Sequence, residues 1–258
     1  MAKRSNFDVI IQARMGSTRL PNKVLLNYKE KNLLHILTER LKKSKNINKI
    51  IICTSKLKQD TRIKNFCIKN NISFFRGEHQ NVLSRYYHTA KKFSSKNIVR
   101  VTSDCPFIDF KILDKMINTF KKKKCDYYAN SYPLPARYPD GMDIEIFNYS
   151  TLKKTYYNAI LPSEKEHVTP FMFKSKKFNS KKLNISKDLS QYRFCVDYKK
   201  DFILFKKIID HFKNRVYTID MYDLINFVKK NKNLIKYQKK IKRNSGWDKA
   251  LKKDEKFR

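Results

Sequence analysis

Glycine is the first shortage: the chain has four among 258 residues. A Walker-type phosphate loop and a dinucleotide fingerprint both need glycines at spacings this chain does not supply, so neither motif is present. Cysteines are few and unpaired. Cys53, Cys67, Cys105, Cys125 and Cys195 lie too far apart for the close pairs of a zinc site or a redox motif, and an odd number fits a reducing compartment. Four of them read as small buried hydrophobes. Cys105 stands next to a candidate metal ligand, and its side chain is expected to point the other way if that segment is extended. Long apolar runs are missing too. No stretch approaches the ~20 residues of a membrane-spanning helix. The polar stretch Met1 to Asp8 runs into only about five apolar residues, too few for a signal peptide. A cytoplasmic protein without a membrane partner is expected.

Acids are the last shortage, 23 against 59 Lys and Arg, for a formal charge of +36. Such an excess ordinarily points to a polyanion. Here lysines recur in almost every expected helix, beside abundant Asn and Ile, which describes a compositional bias more than a designed basic face. A basic nucleic-acid-binding protein would need clustered stripes with interleaved aromatics. No specific nucleic acid is therefore expected, although the excess favours anionic small substrates.

What is present suffices for a sizeable core, with 41% hydrophobic and 13% aromatic residues. Short β-type runs alternate with segments of helical spacing. Strands are expected over Phe7 to Gln12, Asn48 to Thr54, Ile72 to Phe75, Asn97 to Thr102 and Asp126 to Asn130. Helices are expected over Asn32 to Lys45, Lys58 to Asn70, Gln80 to Phe93 and Phe110 to Lys122. Such alternation argues for an α/β fold, a parallel sheet covered by helices on both sides. Ser131 to Gly141 carries three prolines and a glycine and reads as a loop. Further strands are expected over Asp143 to Asn148 and Gln191 to Val196. Further helices are expected near Ser150 to Ala159, Glu164 to Lys174 and Lys199 to Phe212. No linker marks a second domain, so residues 1–258 are expected to form one domain with a lysine-rich extension from Lys229.

Three of the four glycines, Gly16, Gly77 and Gly141, fall at strand ends or in loops where α/β folds place ligands. Gly16 lies in the segment running from Gln12 to Lys23, directly after the first strand. Within it Arg14, Arg19, Lys23, Ser17 and Thr18 can neutralise and hydrogen-bond a polyphosphate. On the residues alone a solvated basic loop fits as well. Asp104 closes the fourth strand, with Pro106 just beyond it. Magnesium is held by one or two carboxylates plus substrate phosphates, so Asp104 suits a metal. Asp109, just before a helix, suits a cap. Asp197 closes another apolar run, and two strand-end acids in so acid-poor a chain favour a shared metal.

The stretch IIQARMGSTRLPNKVL resembles the N-terminal signature of the sugar cytidylyltransferase superfamily. The match is to the branch of spore-coat polysaccharide biosynthesis protein F, related to 3-deoxy-manno-octulosonate and acylneuraminate cytidylyltransferases. The resemblance extends from Val9 to about Leu251, including Asn244-Ser245-Gly246-Trp247. It implies a glycosyltransferase-A-like fold with a mixed, mainly parallel sheet. It further implies CMP transfer from CTP to a polar or acidic sugar, with Mg2+ as cofactor and a homodimer as the assembly.

By this resemblance Arg14 and Lys23 contact the phosphates and act with Asp104 in catalysis. Gly16, Ser17, Arg19 and Arg85 join them in binding nucleotide, and Asp104 with Asp197 hold the metal. The Ser103 before Asp104 departs from the glycine common there. Tyr138 to Glu145 and Glu164 to Pro170 resemble acceptor-pocket segments, which places Asp140, Asp143, Glu166 and His167 at the sugar. Asp143 and Glu145 share one face if that segment is extended. A glycosyltransferase on the same fold is the enzymatic alternative, but Ser103-Asp104-Cys105 is not the Asp-x-Asp motif such enzymes usually carry.

Overall fold

The computed structural model describes residues 5–231, 233–234, 241, 243 and 245–257. Much of the lysine-rich extension, and Asn244, lie outside the described residues. Among the described residues, the centre of the fold is one sheet of seven strands. In chain order these are β1 (Phe7–Gln12), β2 (Lys49–Ser55), β3 (Ser73–Gly77), β4 (Asn97–Thr102), β5 (Tyr127–Ala129), β6 (Glu145–Asn148) and β7 (Ser180–Lys182). Their spatial order is β3-β2-β1-β4-β6-β5-β7. The pairings β1 with β2, β2 with β3 and β1 with β4 are parallel, and β6 runs antiparallel between β4 and β5.

Strand residues alternate between two apolar faces, as a period of two requires. Val9, Ile11, Ile50, Ile52, Val99 and Val101 pack on one side. The helices there are α1 (Leu33–Leu41), α2 (Thr61–Lys69) and α4 (Phe110–Lys122). Ile10, Ile51, Cys53 and Ile98 pack on the other. That side is covered by α3 (Val82–Lys92), α5 (Tyr149–Asn158) and α7 (Pro170–Lys174). A third cluster joins α1 and Phe107 to α8 (Lys199–Phe212) and α9 (Met221–Lys230). Arg40 of α1 is fully buried and donates to the carbonyls of Phe107, Ile108, Val216 and Ile219, so this cluster is clamped to the loop after β4.

The chain runs outward from β1 to β3 and returns to β4 on the other flank of β1. Parallel sheets bind ligands at such a reversal, beyond the carboxyl ends of the strands. The loops after β1 and β4 meet there, where the Ser103 amide donates to the Gln12 carbonyl at 3.3 Å. Side-chain caps fix where the helices begin. Asn32 accepts from the His35 amide, Asn81 from Ser84, and Asp109 from Lys111 and Ile112.

Several expected elements differ from the observed ones. Gln191 to Val196 is extended but pairs only through an isolated bridge between Asp140 and Arg193. Its amides go to loops instead: Phe194 donates to the Asp140 carbonyl and Val196 to that of Asp104. The expected helix Glu164 to Lys174 is two short ones, α6 (Pro162–His167) and α7, broken where Val168 takes φ 72° ahead of Pro170. Strand β6 starts at Glu145, not Asp143, because Asn130 takes the Ile144 amide and the Met142 carbonyl on its side chain. Strand β7, helix α9 and a final helix α10 (Ser245–Glu255) were not foreseen. The lysine-rich pattern of β7 and α10 hides their packed faces. Helix α9 carries apolar residues at helical spacing, a signal that was available.

Gly141 has φ 96°, and a Cβ there would stand 2.5 Å from the Cys195 backbone nitrogen. Only glycine allows the acceptor-side loop to lie so close to the 193–196 segment. Gly141→Ala should lower the unfolding free energy by at least about 2 kcal/mol, from the strained backbone and the overlap together. A urea midpoint unchanged from the parent would contradict this packing.

Candidate active site

The loop after β1 is shaped by one buried acid. Asp60 is fully buried and accepts the Met15 amide at 2.7 Å, while the Ser55 hydroxyl holds its other oxygen. The Ser17 and Asn22 amides then both close on the Met15 carbonyl, and the left-handed Asn22 (φ 58°) turns the chain into a 3-10 turn at Lys23–Leu25. Gly16 is exposed, and a Cβ there would meet only the movable tip of the Gln59 side chain, at 3.0 Å.

This path buries Lys23, the one lysine among the buried polar residues described. Its Nζ lies 2.9 Å from Asp104 Oδ2 and 2.8 Å from Asp197 Oδ1. The two acids are brought together by backbone, since the Val196 amide donates to the Asp104 carbonyl at 2.8 Å. Asp201, in the first turn of α8, accepts the Asp197 and Tyr198 amides and so fixes the end of that segment. Arg19 reaches Asp197 Oδ1 at 2.5 Å and lies over the Tyr198 ring at 5.2 Å.

These contacts set the charge states. Burial lowers the Lys23 ammonium, but Asp104 and Asp197 outweigh it and raise the group above its ordinary value. Burial raises the Asp104 carboxyl, yet Lys23 holds it below the usual range against the repulsion of Asp197. Asp197 is likewise pushed up by burial and held well down by Lys23, Arg19 and Arg193. All three groups stay ionised at neutral pH. Two carboxylates therefore converge on one positive charge. That is the donor set a hard divalent cation takes when substrate phosphates supply its other oxygens. Among the described residues no group of three or more His, Cys, Asp or Glu could hold a metal without such help.

From Asp197 the charges continue toward the other candidate residues. Arg193 Nη2 meets Asp197 Oδ2 at 2.9 Å, and Arg193 Nη1 binds Asp140. Arg243 Nε stands 3.9 Å from Asp140 Oδ1, and its Nη2 is 2.7 Å from Asp143 Oδ1. Acid and base alternate from Asp104 through Lys23, Asp197, Arg193, Asp140 and Arg243 to Asp143. Burial and the neighbouring Asp143 raise the Asp140 carboxyl, with Arg193 and Arg243 opposing them.

Other candidates stand apart from this row. Arg14 is exposed. Ser17 is half-buried and accepts the Leu20 amide. Arg85 is buried beneath Gly77 and donates to the Glu78 and His79 carbonyls at 2.6 and 2.7 Å, so it shapes the loop after β3. Glu166 pairs with Lys253 at 2.9 Å, away from the row. His167 packs edge-on to Trp247, ring centroids 5.2 Å apart, with its Nε2 buried and unpartnered among the described residues.

Two sequence expectations fail here. Glu145 does not share an open face with Asp143. It is buried on Arg100 and accepts from Tyr127 and Thr169 at 2.6 Å, because β6 enters the sheet at that residue. Cys105 does not point away from Asp104, because Ser103 and Asp104 form a turn. Its thiol lies 3.7 Å from Asp104 Oδ1 and 3.2 Å from the Thr102 hydroxyl. Arg193, Asp60, Asp201 and Arg243 were missed. For Arg193 and Asp201 a signal existed, since both lie within four residues of Asp197.

Comparison with known proteins fits this geometry. The sequence profile of the cytidylyltransferases matches residues 9–251. Spore coat polysaccharide biosynthesis protein SpsF of Bacillus subtilis is 36% identical over 168 residues, 63% of this chain and 68% of that protein. A cytidylyltransferase structure from Leptospira borgpetersenii superposes with a TM-score of 0.83 at 35% identity, covering 90% of this chain and 97% of that one. CMP:2-keto-3-deoxy-manno-octonic acid synthetase, solved with CTP, shares the fold. Its TM-score is 0.60 at 14% identity, over 80% of this chain and 99% of that one.

The surroundings of His167 set an acid limit on stability. Burial, and then Arg100, lower its pKa from 6.5 to about 4. An unfolded chain takes up this proton first, so the stabilisation is complete above about 6.5 and is lost as pH falls toward about 4. The urea midpoint of the parent should drop between pH 7 and pH 5 by more than that of His167→Gln. Equal slopes would show that this ring titrates alike in the folded and unfolded chains.

Proposed function

Because the chain belongs to the cytidylyltransferase family, we propose that it transfers CMP from CTP to a polar or acidic sugar with release of pyrophosphate, in the making of a polysaccharide or other glycan. The observation that carries this reading is the Lys23 ammonium set between Asp104 and Asp197 at the carboxyl end of the sheet. A protein using only the fold for another purpose has no reason to bury a lysine against two partly buried acids there, since buried charges are costly unless their partners serve them.

In the proposed reaction a sugar hydroxyl oxygen attacks the α-phosphorus of CTP. A new P–O bond forms as the bond to the β-phosphate oxygen breaks, pyrophosphate leaves, and the hydroxyl proton passes to solvent. The loop after β1 contributes the cations for the polyphosphate: the exposed Arg14, with Arg19 and Lys23 beside Asp197. The hydroxyl of Ser17, beside Gly16, adds a hydrogen-bond donor. Arg85 keeps the loop after β3 in shape beneath the nucleoside. Asp104 and Asp197 would hold Mg2+, which when bound neutralises phosphate charge and lowers the pKa of the attacking hydroxyl. Asp140 and Asp143, fixed by Arg193 and Arg243, face the acceptor as hydrogen-bond acceptors for its hydroxyls, with His167 and Glu166 on the adjoining α6. One nucleotidyltransferase domain working as a cytoplasmic homodimer completes the proposal.

Asp104→Asn should fold normally and lose at least about 100-fold in pyrophosphate release, as removal of a group stabilising transition-state charge does. Among the four nucleoside triphosphates with Mg2+, CTP should raise the melting temperature of the parent most. Parent-like turnover in the Asp104→Asn variant, or no response of the parent to any triphosphate, would refute the assignment.

A further inference from the structure

All four acceptor-side candidates touch the last described segment of the chain. Asp140 and Asp143 meet Arg243, Glu166 meets Lys253, and His167 meets Trp247. The segment is fastened rather than draped. Asp254 is buried and accepts both the Ser163 amide at 2.8 Å and the Ser163 hydroxyl at 2.5 Å, which ties α10 to the first turn of α6. Trp247 then stands beside Tyr132 and Phe173, with centroids 6.4 Å away in each case. Tyr132 and Phe173 are themselves stacked at 5.2 Å. All three residues are half-buried, and the Lys174 ammonium lies over the Trp247 ring at 4.9 Å. Arg243 keeps 19% of its side chain accessible. Its N–H groups outnumber the two acceptors it holds at 2.7 Å, the Tyr138 carbonyl and Asp143.

Resting on the transferase reading above, we propose that the C-terminal segment forms a wall of the acceptor subsite. Arg243 binds the carboxylate of a sugar acid, and Trp247 with Tyr132 and Phe173 forms the apolar surface against its ring. A guanidinium fork suits a planar carboxylate, and aromatic faces suit the C–H side of a pyranose. A further cation stands on the same loop. The Lys182 ammonium donates to the Pro133 and Pro135 carbonyls, and burial, then the Arg243 and Arg137 charges, lower it.

The test uses a property of the sequence: Trp247 is the only tryptophan, so intrinsic tryptophan emission reports on this wall alone. The full chain is titrated with 3-deoxy-manno-octulosonate and with N-acetylneuraminate, and with their methyl esters as uncharged controls. The expected result is a saturable change of emission with at least one acid and none with its ester. Arg243→Gln should raise the half-saturating concentration at least tenfold, and Arg243→Lys should recover part of that loss. Melting temperatures with CTP and Mg2+ are read on the same samples. A silent Trp247 with both acids, an equal response to acid and ester, or an unchanged half-saturation in Arg243→Gln overturns the wall. If CTP stabilises the protein in that case, the transferase reading stands without it. Emission that responds as expected while CTP has no effect keeps the wall and sinks the transferase reading.

Discussion

One ammonium group holds the centre of this molecule together. Lys23 is 81 residues from Asp104 and 174 from Asp197, yet its Nζ bonds to both. Removing two carboxylates and an ammonium from water is costly, and the cost is offset only when the charges meet with good geometry. Without Lys23, Asp104 and Asp197 would face each other as like charges at the head of the sheet. The loop after β1, the turn after β4 and the segment entering α8 are therefore positioned by the same contact. Each has its own backbone support, through Asp60, the Val196 amide and Asp201 respectively. The ion pair fixes where these three supports have to agree.

From that point the alternating charges act as a ruler. Each guanidinium in the row sits between two carboxylates, so a shift at Asp197 is felt at Arg193 and then at Asp140. Arg193 is strongly stabilised in its charged form. Burial opposes it, but Asp140 and Asp201 outweigh the penalty and raise it above its ordinary value. A fork bonded on several sides has little freedom to rotate, which suits a residue that must keep acceptor and phosphate regions in register. Gly141 makes the same region possible from the backbone side, since any Cβ there would collide with the Phe194–Cys195 peptide. Proximity of reacting groups is a large part of what an enzyme supplies. Here it is enforced by short polar contacts and one tight backbone crossing.

The sheet was legible in the sequence because its strands are short apolar runs between clear turns. Strands β1 and β4 and helices α4 and α8 fall where the pattern puts them, to the residue. The place of Asp104 just beyond the end of β4 was also legible, because an acid that closes an apolar run stands at a rim, whereas Asp197 follows a segment that joins no sheet. Their partnership was not. Nothing local in the sequence says that the residue 174 positions before Asp197 lies against it, and the resemblance to a known signature carried that step. The acceptor side was read less well for a physical reason. Glu145 and Asp143 look alike in an alternating stretch, yet Asn130 delays the start of β6 by two residues, so one acid is buried on Arg100 and the other meets Arg243. Arg243 and α10 were hidden because their surroundings are dense in lysine, which masks the packed face of a helix.

That lysine density also tells which positive charges matter. If the +36 reflects composition, surplus lysines should lie on the surface, where a flexible ammonium is solvated at little cost. The buried bases bear this out: Arg40, Arg85, Arg100 and Arg193 are buried, and Lys23 is the single lysine beside them among the described residues. Arginine suits these places because its planar fork satisfies several oxygens at once. Lysine is the poorer choice for burial, since its compact, strongly hydrated charge loses more on leaving water. A buried lysine in a chain that has lysines everywhere else to put them is thus the more informative one. What Lys23 offers over an arginine is a point charge, able to sit between two carboxylates as a small cation does. The same property would let it follow a phosphate oxygen. In this protein the signal of function is therefore not how much positive charge the chain carries, but the one place among the described residues where a lysine carries that charge inside.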